Sequence, residues 1–322
     1  MKLIIQIPCF NEAGTLALAL AALPRVVPGF DSVEWLIIDD GSRDNTIDVA
    51  KRCGVDHIVI HPYNQGLAKA FMTGVNACLS LGADVIVNTD ADNQYNANDI
   101  PALTKPILEG KAEIVVGARP ITEIEHFSST KKILQQLGSF VVRIASNTNI
   151  PDAPSGFRAM SRAAAARLIV YNKYTYTLET IIQAGQTGIP ITSVPVRVNK
   201  DLRPSRLVKS ISSYIKRSIL TIIHIFILYR PFHFFMMIGS LLFFAGLITG
   251  IRFLLYYFSG GGDGHVQSLI LGCILLTAGG GAWLMAIIAS LLAANRRLLE
   301  EIRLNINISN KKFVPHLWSR HE

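Results

Sequence analysis

Short apolar runs alternate with longer mixed segments through residues 1–200. Lys2–Ile7, Glu34–Asp39, His57–His61, Val85–Thr89, Ile114–Ala118 and Ile191–Arg197 are rich in valine, isoleucine and aromatic residues and read as strands. Between them, helical spacing marks Ala13–Ala22, Thr46–Arg52, Ala68–Leu81, Ile100–Glu109, Lys131–Ser146 and Thr177–Thr187. Strand and helix in alternation predict an α/β fold, a mostly parallel sheet with helices on both faces. Ligands of such sheets sit beyond the carboxyl ends of the strands. The loops Pro8–Glu12, Asp39–Asp44 and Asp90–Gln94 all follow strands and are predicted to meet there.

The pattern changes after residue 206. Leu207, Ile211, Ile215 and Ile219 recur every fourth position, with Lys209, Lys216 and Arg217 off that stripe. This predicts an amphipathic helix over 207–230, either interfacial or core-facing. Its place before a long apolar run favours the interface. Phe232–Ile251 then runs twenty residues without a formal charge, and Val266–Ala294 runs twenty-nine. About 20 helical residues cross a bilayer core, so both runs are long enough. The glycine-rich Ser259–Gly264 joins them, and two such runs in succession argue against buried core helices. Gly279-Gly280-Gly281 permits close helix packing, including packing between subunits of a homo-oligomer. The expected organisation is a catalytic domain at 1–206, the interfacial helix at 207–230, a two-span region at 231–295 and a cytoplasmic tail at 296–322. The tail from Asn305 is polar, and no fold is assigned to it.

Charge sharpens this division. The chain of 322 residues carries a net +8. Residues 1–198 hold 17 Lys/Arg and 18 Asp/Glu, whereas residues 199–322 hold 14 and 5. The basic excess therefore flanks the apolar runs, where anionic lipid explains it better than nucleic acid does. The glycine-rich connecting loop has no Lys or Arg, and Arg252 only edges it. The positive-inside rule then places both termini in the cytoplasm of a multi-pass inner-membrane protein. Met1-Lys2 leads directly into a strand, and no signal peptide is expected. Cys9, Cys53, Cys78 and Cys273 have no paired spacing and read as reduced thiols.

Asp90-Ala91-Asp92 is the first candidate for chemistry. In an extended chain, residues two apart point the same way, so both carboxylates can face one ligand. Hard oxygen ligands suit Mg²⁺ or Mn²⁺, with substrate phosphates completing the shell. Asp92 is expected nearest the metal, and Asp90 nearer a ribose or sugar. In Asp39-Asp40-Gly41-Ser42-Arg43-Asp44-Asn45-Thr46, a strand runs into two acids and a glycine turn. A carboxylate there can accept from a base or ribose, whereas Ser42 and Asp44 read as structural.

Pro8-Cys9-Phe10-Asn11-Glu12, the Asp39–Thr46 segment, Asn64-x-Gly66-x-x-Lys69-Ala70, Asp90-x-Asp92-x-Gln94 and Gly117-x-Arg119 stand in an order that resembles family 2 glycosyltransferases. The likeness is greatest to dolichol-phosphate mannosyltransferases and bacterial polyprenyl-phosphate glycosyltransferases. It covers residues 1–210 by motif and the remainder by topology. It implies a GT-A, Rossmann-like domain that transfers a sugar, with inversion, from a UDP- or GDP-linked nucleotide sugar to a polyprenyl phosphate. By motif position, Pro8, Phe10, Glu12, Ile38 and Asp40 would line the nucleoside pocket. Asp90, Ala91, Asp92 and Gln94 would hold the metal and diphosphate. Arg119, Lys200 and Arg206 would bind phosphate oxygens and offset leaving-group charge.

The resemblance departs where the mannosyltransferases present arginine and serine to the lipid phosphate. The matching positions here are Lys131 and Gln135, with Lys132 beside them. Asp152, in Asp152-Ala153-Pro154-Ser155-Gly156-Phe157-Arg158, is a candidate catalytic base or acceptor-orienting group. A phosphate monoester is mostly dianionic at pH 7, which removes the need for a base, so Asp152 can instead orient Arg158 or a metal-bound water. Glu179 is a second candidate acid. The rival functions are transfer to a saccharide or diphospholipid acceptor, nucleotidyl transfer and a non-catalytic membrane scaffold. No extra aromatic-basic acceptor motif and no glycine-rich amino-terminal loop with a basic residue is present.

Overall fold

The computed structural model describes residues 1–121, 129–168, 170, 176–199, 220, 223–224, 227–260, 264, 266–309 and 317–320. The chain divides into two compact units, one of residues 1–218 and 304–322 and one of residues 219–303.

The first unit is built on one eight-stranded sheet. In chain order its strands are β1 (Lys2–Cys9), β2 (Ser32–Asp39), β3 (His57–Ile60), β4 (Val85–Asn88), β5 (Ile114–Ala118), β6 (Arg158–Ser161), β7 (Ile191–Pro195) and β8 (Leu317–Ser319). Across the sheet they run β7-β5-β6-β4-β1-β2-β3-β8. β1 pairs in parallel with β2 and β4, β2 with β3, and β5 with β7. β6 is inserted antiparallel between β4 and β5, and β8 is antiparallel on the β3 edge.

The helices are α1 (Leu16–Ala22), α2 (Thr46–Arg52), α3 (Leu67–Ser80), α4 (Ile100–Leu108), α5 (Ser129–Ser146), α6 (Arg162–Arg167) and α7 (Tyr176–Thr187). Alternate strand residues sort to opposite faces, as period-two geometry requires. Leu3, Ile5, Ile7, Trp35, Ile37, Val85 and Val87 pack with Leu16 and Leu20 of α1 and with Ile100 and Leu103 of α4. Ile4, Leu36, Ile38 and Ile86 pack with Phe71, Val75 and Cys78 of α3 and with Tyr176 and Ala184 of α7. Most of these side chains are fully buried. At about 1.5–3 kcal/mol for each large apolar side chain, both layers contribute strongly. The central strands β1, β2 and β4 thus have almost no solvent face, which is why they appear as nearly continuous apolar runs.

The second unit contains α8 (Pro231–Phe258) and α9, whose helix runs Val266–Ser309. Pro231–Phe258 and Val266–Arg296 have mean hydropathies of 2.2 and 2.0 and are long and apolar enough to cross a membrane. Their side chains are largely exposed, which separates them from the core helices of a soluble domain. The helices touch along glycines. A Cβ on Gly246 would stand 3.0 Å from the Gly272 carbonyl, and one on Gly279 would stand 2.9 Å from that of Gly239. Gly279 therefore serves packing within the chain, while Gly280 and Gly281 face open space.

Two expectations change at the carboxyl end. Helix continues through the apolar run to Ser309, and Leu317–Ser319 forms a strand. Trp318 packs on the core, Lys51 lies 5.3 Å over its ring, and Arg320 N–H donates to the Asp56 carbonyl at 2.9 Å. The polar tail concealed this strand because three residues carry almost no periodicity. Most of the amphipathic segment 207–230 lies outside the described residues.

Candidate active site

The parallel register brings the strand ends to one edge of the sheet. Cys9 pairs with Asp39, and Gln6 with Asn88, so the loops after β1, β2 and β4 leave side by side. The first two are stitched together. Asn11 N–H donates to Ser42 Oγ at 2.8 Å, Glu12 N–H to Thr46 Oγ1 at 2.9 Å, and Ala13 N–H to Asp44 Oδ2 at 3.1 Å. Ser42 and Asp44 are structural, as their sequence setting implies. Gly41 has φ +75°, and a Cβ there would lie 2.6 Å from the Tyr63 carbonyl carbon, so this turn requires glycine. Asn11 and Asn93 also take left-handed φ values, 55° and 56°, a conformation asparagine tolerates better than most residues.

The two acidic pairs have different surroundings. Asp40 is buried, and its oxygens accept from Gln65 N–H at 2.9 Å and Gly66 N–H at 2.8 Å. His61 Nδ1 lies 2.7 Å from the same carboxylate, and its Nε2 lies 3.0 Å from Thr73 Oγ1. Asp40 thus braces the loop that leads into α3. Its neighbour Asp39 is also buried. One Asp39 oxygen accepts from Ser42 N–H at 3.1 Å and the other has no partner. An orphaned buried carboxylate oxygen is costly, about 1–3 kcal/mol, unless a donor arrives. The resemblance puts Asp40 in the nucleoside pocket, whereas the unsatisfied oxygen belongs to its neighbour Asp39. Adjacent acids on a strand end face opposite sides, and composition does not say which faces the ligand.

Asp90 is the electrostatic centre. Burial, and after it the charge of Asp92, pushes its carboxyl up to about 7, while Arg119 and Arg158 pull it down and Glu12 adds to the rise. Residues from the ends of β1, β4, β5 and β6 therefore act on one carboxylate. Gly156 makes room for it, since a Cβ there would stand 3.1 Å from both Asp90 oxygens and 3.0 Å from the Tyr176 hydroxyl. Beneath, Asn88 Nδ2 donates to the Gly156 carbonyl and lies within hydrogen-bond distance of the Tyr176 hydroxyl, both at 2.9 Å. Gln6 Nε2 donates to Asn88 Oδ1 at 2.9 Å, and Gly156 N–H donates to the Tyr95 hydroxyl at 2.9 Å. Asp92 Oδ1 accepts from Gln94 N–H at 3.1 Å, which turns the loop back.

Arg119 and Asp152 form a buried bidentate pair. Arg119 Nε donates to Asp152 Oδ2 at 2.7 Å and its terminal nitrogen to Oδ1 at 3.0 Å. Arg119 N–H adds a third bond to Oδ2 at 3.1 Å. Both Asp152 oxygens are engaged with Arg119, a partner that sequence reasoning did not give it. Arg158, the lone basic residue of β6, is fully buried. It donates to the Thr177 carbonyl at 3.2 Å and also to Thr180 and the Ser155 carbonyl, while its Nε has no partner. Burial lowers its pKa, and the charges of Tyr176, Tyr95, Asp90 and Asp152 oppose that shift. In the sequence it stood only as a group that Asp152 could orient, and the structure gives Asp152 to Arg119 instead.

The remaining expected residues are less gathered. Pro8 is the penultimate residue of β1, Phe10 is exposed, and Ile38 is buried in β2. Ala91 is buried between the two acids. Gln135 is buried on the inner face of α5, and Lys132 is partly buried there. The Lys131 side chain, Lys200 and Arg206 lie outside the described residues. Asn199, just before Lys200, is held on the acidic loop, donating from N–H to the Gln94 carbonyl at 2.8 Å and from Nδ2 to that of Asn93 at 2.9 Å.

Among the described residues no three His, Cys, Asp or Glu side chains form a closed metal cage. The residues present nevertheless fit an open cation site. Burial first, and then the charge of Asp92, raises the Asp90 carboxyl in spite of Arg119 and Arg158, so a cation here would offset both effects. Two carboxylates with room for phosphate oxygens match the open shell that Mg²⁺ keeps.

The sequence model of glycosyl transferase family 2 matches residues 4–169, just over half of the chain. The chain belongs to this family. The matched region takes in most of β1, all of β2 to β6, both acidic pairs, Arg119 and Asp152. An undecaprenyl-phosphate mannosyltransferase from Micrococcus luteus is 29% identical over 218 residues, 64% of this chain and 88% of that protein. A UDP-N-acetylglucosamine–dolichyl-phosphate N-acetylglucosaminyltransferase from Methanococcus voltae is 28% identical over 212 residues, 59% of this chain and 83% of that one. Among solved structures, glucosyl-3-phosphoglycerate synthase from Mycobacterium tuberculosis, in complex with Mn²⁺, UDP and phosphoglyceric acid, superposes with a TM-score of 0.52. It is 18% identical and covers 69% of this chain and 78% of its own, a likeness of fold. The GT-A-like, mostly parallel architecture expected from the sequence is thus shown.

Proposed function

We propose that this family 2 glycosyltransferase moves a sugar from a UDP- or GDP-linked donor to a polyprenyl phosphate, with inversion, at the cytoplasmic face of a membrane. The convergence of Asp90, Asp92, Glu12, Arg119 and Arg158 at one sheet edge, in a chain that also carries two candidate spans, is the observation on which this reading rests. The two polyprenyl-phosphate transferases to which the chain is similar support it.

Asp90 and Asp92, with Gln94 beside them, would hold Mg²⁺ or Mn²⁺. When bound, the ion supplies positive charge to the donor diphosphate and stabilises it as it leaves. The chain's own residues do the rest. Arg119, fixed by Asp152 in one orientation, presents its remaining N–H groups to phosphate oxygens without a reorganisation cost. The orphaned oxygen of Asp39 accepts from the nucleobase or ribose. Asp40 keeps the neighbouring loop in place. Lys200 and Arg206 close over the diphosphate, and Lys131, Lys132 and Gln135 meet the acceptor phosphate.

The acceptor phosphate is itself the nucleophile. A monoester dianion attacks the anomeric carbon without losing a proton, so no general base is required. That accords with an Asp152 whose oxygens are committed to Arg119. The two spans tether the enzyme in the phase that dissolves a long prenyl chain, and a homo-oligomer through those spans is compatible with the open Gly280 and Gly281.

The test is to incubate the purified full-length protein with a panel of nucleotide sugars, Mg²⁺ or Mn²⁺, and undecaprenyl phosphate. Lipid products are then identified by mass spectrometry. A polyprenyl-phospho-sugar made from one donor is expected. Glycosylation of a soluble acceptor with an unlabelled lipid pool would refute the acceptor assignment.

A further inference from the structure

Two amide side chains lie where the core is otherwise apolar. Gln6 of β1 and Asn88 of β4 are partners in the parallel register, and both are fully buried. They share the face of the sheet on which Ile4, Leu36, Ile38 and Ile86 pack against α3 and α7. The fold makes room for them. A Cβ on Gly74 of α3 would stand 2.5 Å from Gln6 Oε1.

Their hydrogen bonds run in one direction. The Gly156 carbonyl can only accept, so it fixes Asn88 Nδ2 as the donor at 2.9 Å. Asn88 Oδ1 then accepts from Gln6 Nε2 at 2.9 Å, and Gln6 Oε1 is left facing Cys78 Sγ at 3.8 Å. The second proton of Asn88 Nδ2 goes to the Tyr176 hydroxyl oxygen at 2.9 Å. That hydroxyl keeps its own proton for another acceptor. Burial, and after it the charge of Asp90, holds this proton on the oxygen.

The Asp90 carboxylate lies on that side. A Cβ on Gly156 would meet both groups, 3.0 Å from the Tyr176 hydroxyl and 3.1 Å from each Asp90 oxygen. Gly156 itself is held at both ends, its carbonyl by Asn88 and its N–H by the Tyr95 hydroxyl at 2.9 Å. An apolar pair in place of Gln6 and Asn88 would fill the layer equally well. The amides instead fix one spacing between β4, the turn before β6 and α7, as a satisfied buried network does.

We propose that Asn88 and Tyr176 are positioning residues for cation binding, given that Asp90 and Asp92 form the cation site described above. Acting through Gly156 and the Tyr176 hydroxyl, they hold the Asp90 carboxylate where it can take the metal. Removing a group that orients a metal ligand commonly costs about 10- to 100-fold in affinity.

The test measures Mn²⁺ uptake by the full-length protein in detergent at neutral pH, with UDP or GDP present, from the loss of the free-ion electron paramagnetic resonance signal. Tyr176→Phe removes one oxygen and keeps the ring stacked on Phe71, 3.9 Å away. Asn88→Leu removes the whole junction. Tyr176→Phe is expected to raise the Mn²⁺ Kd by about 10-fold, and Asn88→Leu by more. The Kd for the nucleotide without metal is expected to stay at the wild-type value, whereas a general loosening of the fold would weaken metal and nucleotide together. Should Asn88→Leu fail to fold, Tyr176→Phe decides. Wild-type Mn²⁺ affinity in Tyr176→Phe, or an equal loss of metal-free nucleotide affinity, would overturn the positioning role and leave the cation site standing. No Mn²⁺ uptake by the wild type with either nucleotide would overturn both.

Discussion

Two acidic pairs stand at neighbouring strand ends, and the chain treats them in opposite ways. Asp40 lies in a shell supplied by the protein, with two main-chain N–H donors and His61 around one carboxylate. Asp90 faces Asp92 with arginines that are committed elsewhere, Arg119 to Asp152 and Arg158 to the α7 end. The first pair is largely satisfied within the fold, except for one oxygen of Asp39. The second is left short of positive charge. Residue type and position are shared, so what separates structure from function is the source of the compensating charge and hydrogen bonds.

The comparison is broken most directly by mutating each pair. Asp92→Ala is expected to lower sugar transfer by about 10³-fold, roughly 4 kcal/mol of transition-state stabilisation, without lowering the melting temperature. An assay with saturating metal and nucleotide sugar, alongside a thermal melt, reads both. A variant that retains transfer would remove Asp92 from the metal site. Asp40→Ala should show the reverse order of effects. It leaves the Gln65 and Gly66 donors and His61 buried without an acceptor, at about 3 kcal/mol. Denaturant unfolding should show that loss. If activity vanishes while stability is unchanged, Asp40 contacts substrate and is not a brace.

Arg119 and Asp152 give a smaller, diagnostic effect. Asp152→Asn keeps the shape but weakens the grip on the guanidinium, and transfer should fall by about 10- to 50-fold. As a positioning residue, Asp152 should leave the shape of the pH–rate profile unchanged. Loss of the alkaline limb, with a new dependence on added carboxylates, would instead make it a base.

These distinctions bear on what was legible in the sequence. Strands β1 to β5 were readable because burial on two faces imposes mostly apolar runs, β7 from its β-branched residues although it is a half-exposed edge strand, and α2 was placed at Thr46–Arg52 as observed. β6 was missed because Arg158 breaks the apolar character of Arg158–Ser161, although the fold buries that arginine completely. β8 was missed because its pairing is with a strand more than 250 residues away, a contact no local window contains. The acids themselves were readable from their places at strand ends. Their partners were not. That Asp152 would take Arg119 depends on the sheet order that sets β6 between β4 and β5, and that Asp39 would keep an unsatisfied oxygen depends on how the turn after β2 folds onto Ser42.

The mildest test of the comparison is pH. Burial and then Asp92 raise the Asp90 carboxyl from 3.8 to about 7. Between those values the folded protein holds a proton that the unfolded chain has lost. Stability without metal should therefore fall as pH rises from about 4 to 7. A dry site would lose about 4 kcal/mol over that range, and this partly exposed one should lose less, near 1–2 kcal/mol. Asp90→Asn should flatten that slope and raise the metal-free melting temperature at pH 7.5 by a few degrees, roughly 2–4 °C per kcal/mol for a domain of this size. Mn²⁺ should stabilise the wild type more at pH 7.5 than at pH 5.5, because binding must displace the proton at the lower pH. Asp40, already compensated by its donors, predicts no matching response to metal in an Asp40→Asn variant beyond that of the wild type. If the metal-induced shift is the same at both pH values, Asp90 is not the group that the cation compensates, and the contrast between the two pairs fails at its weaker end.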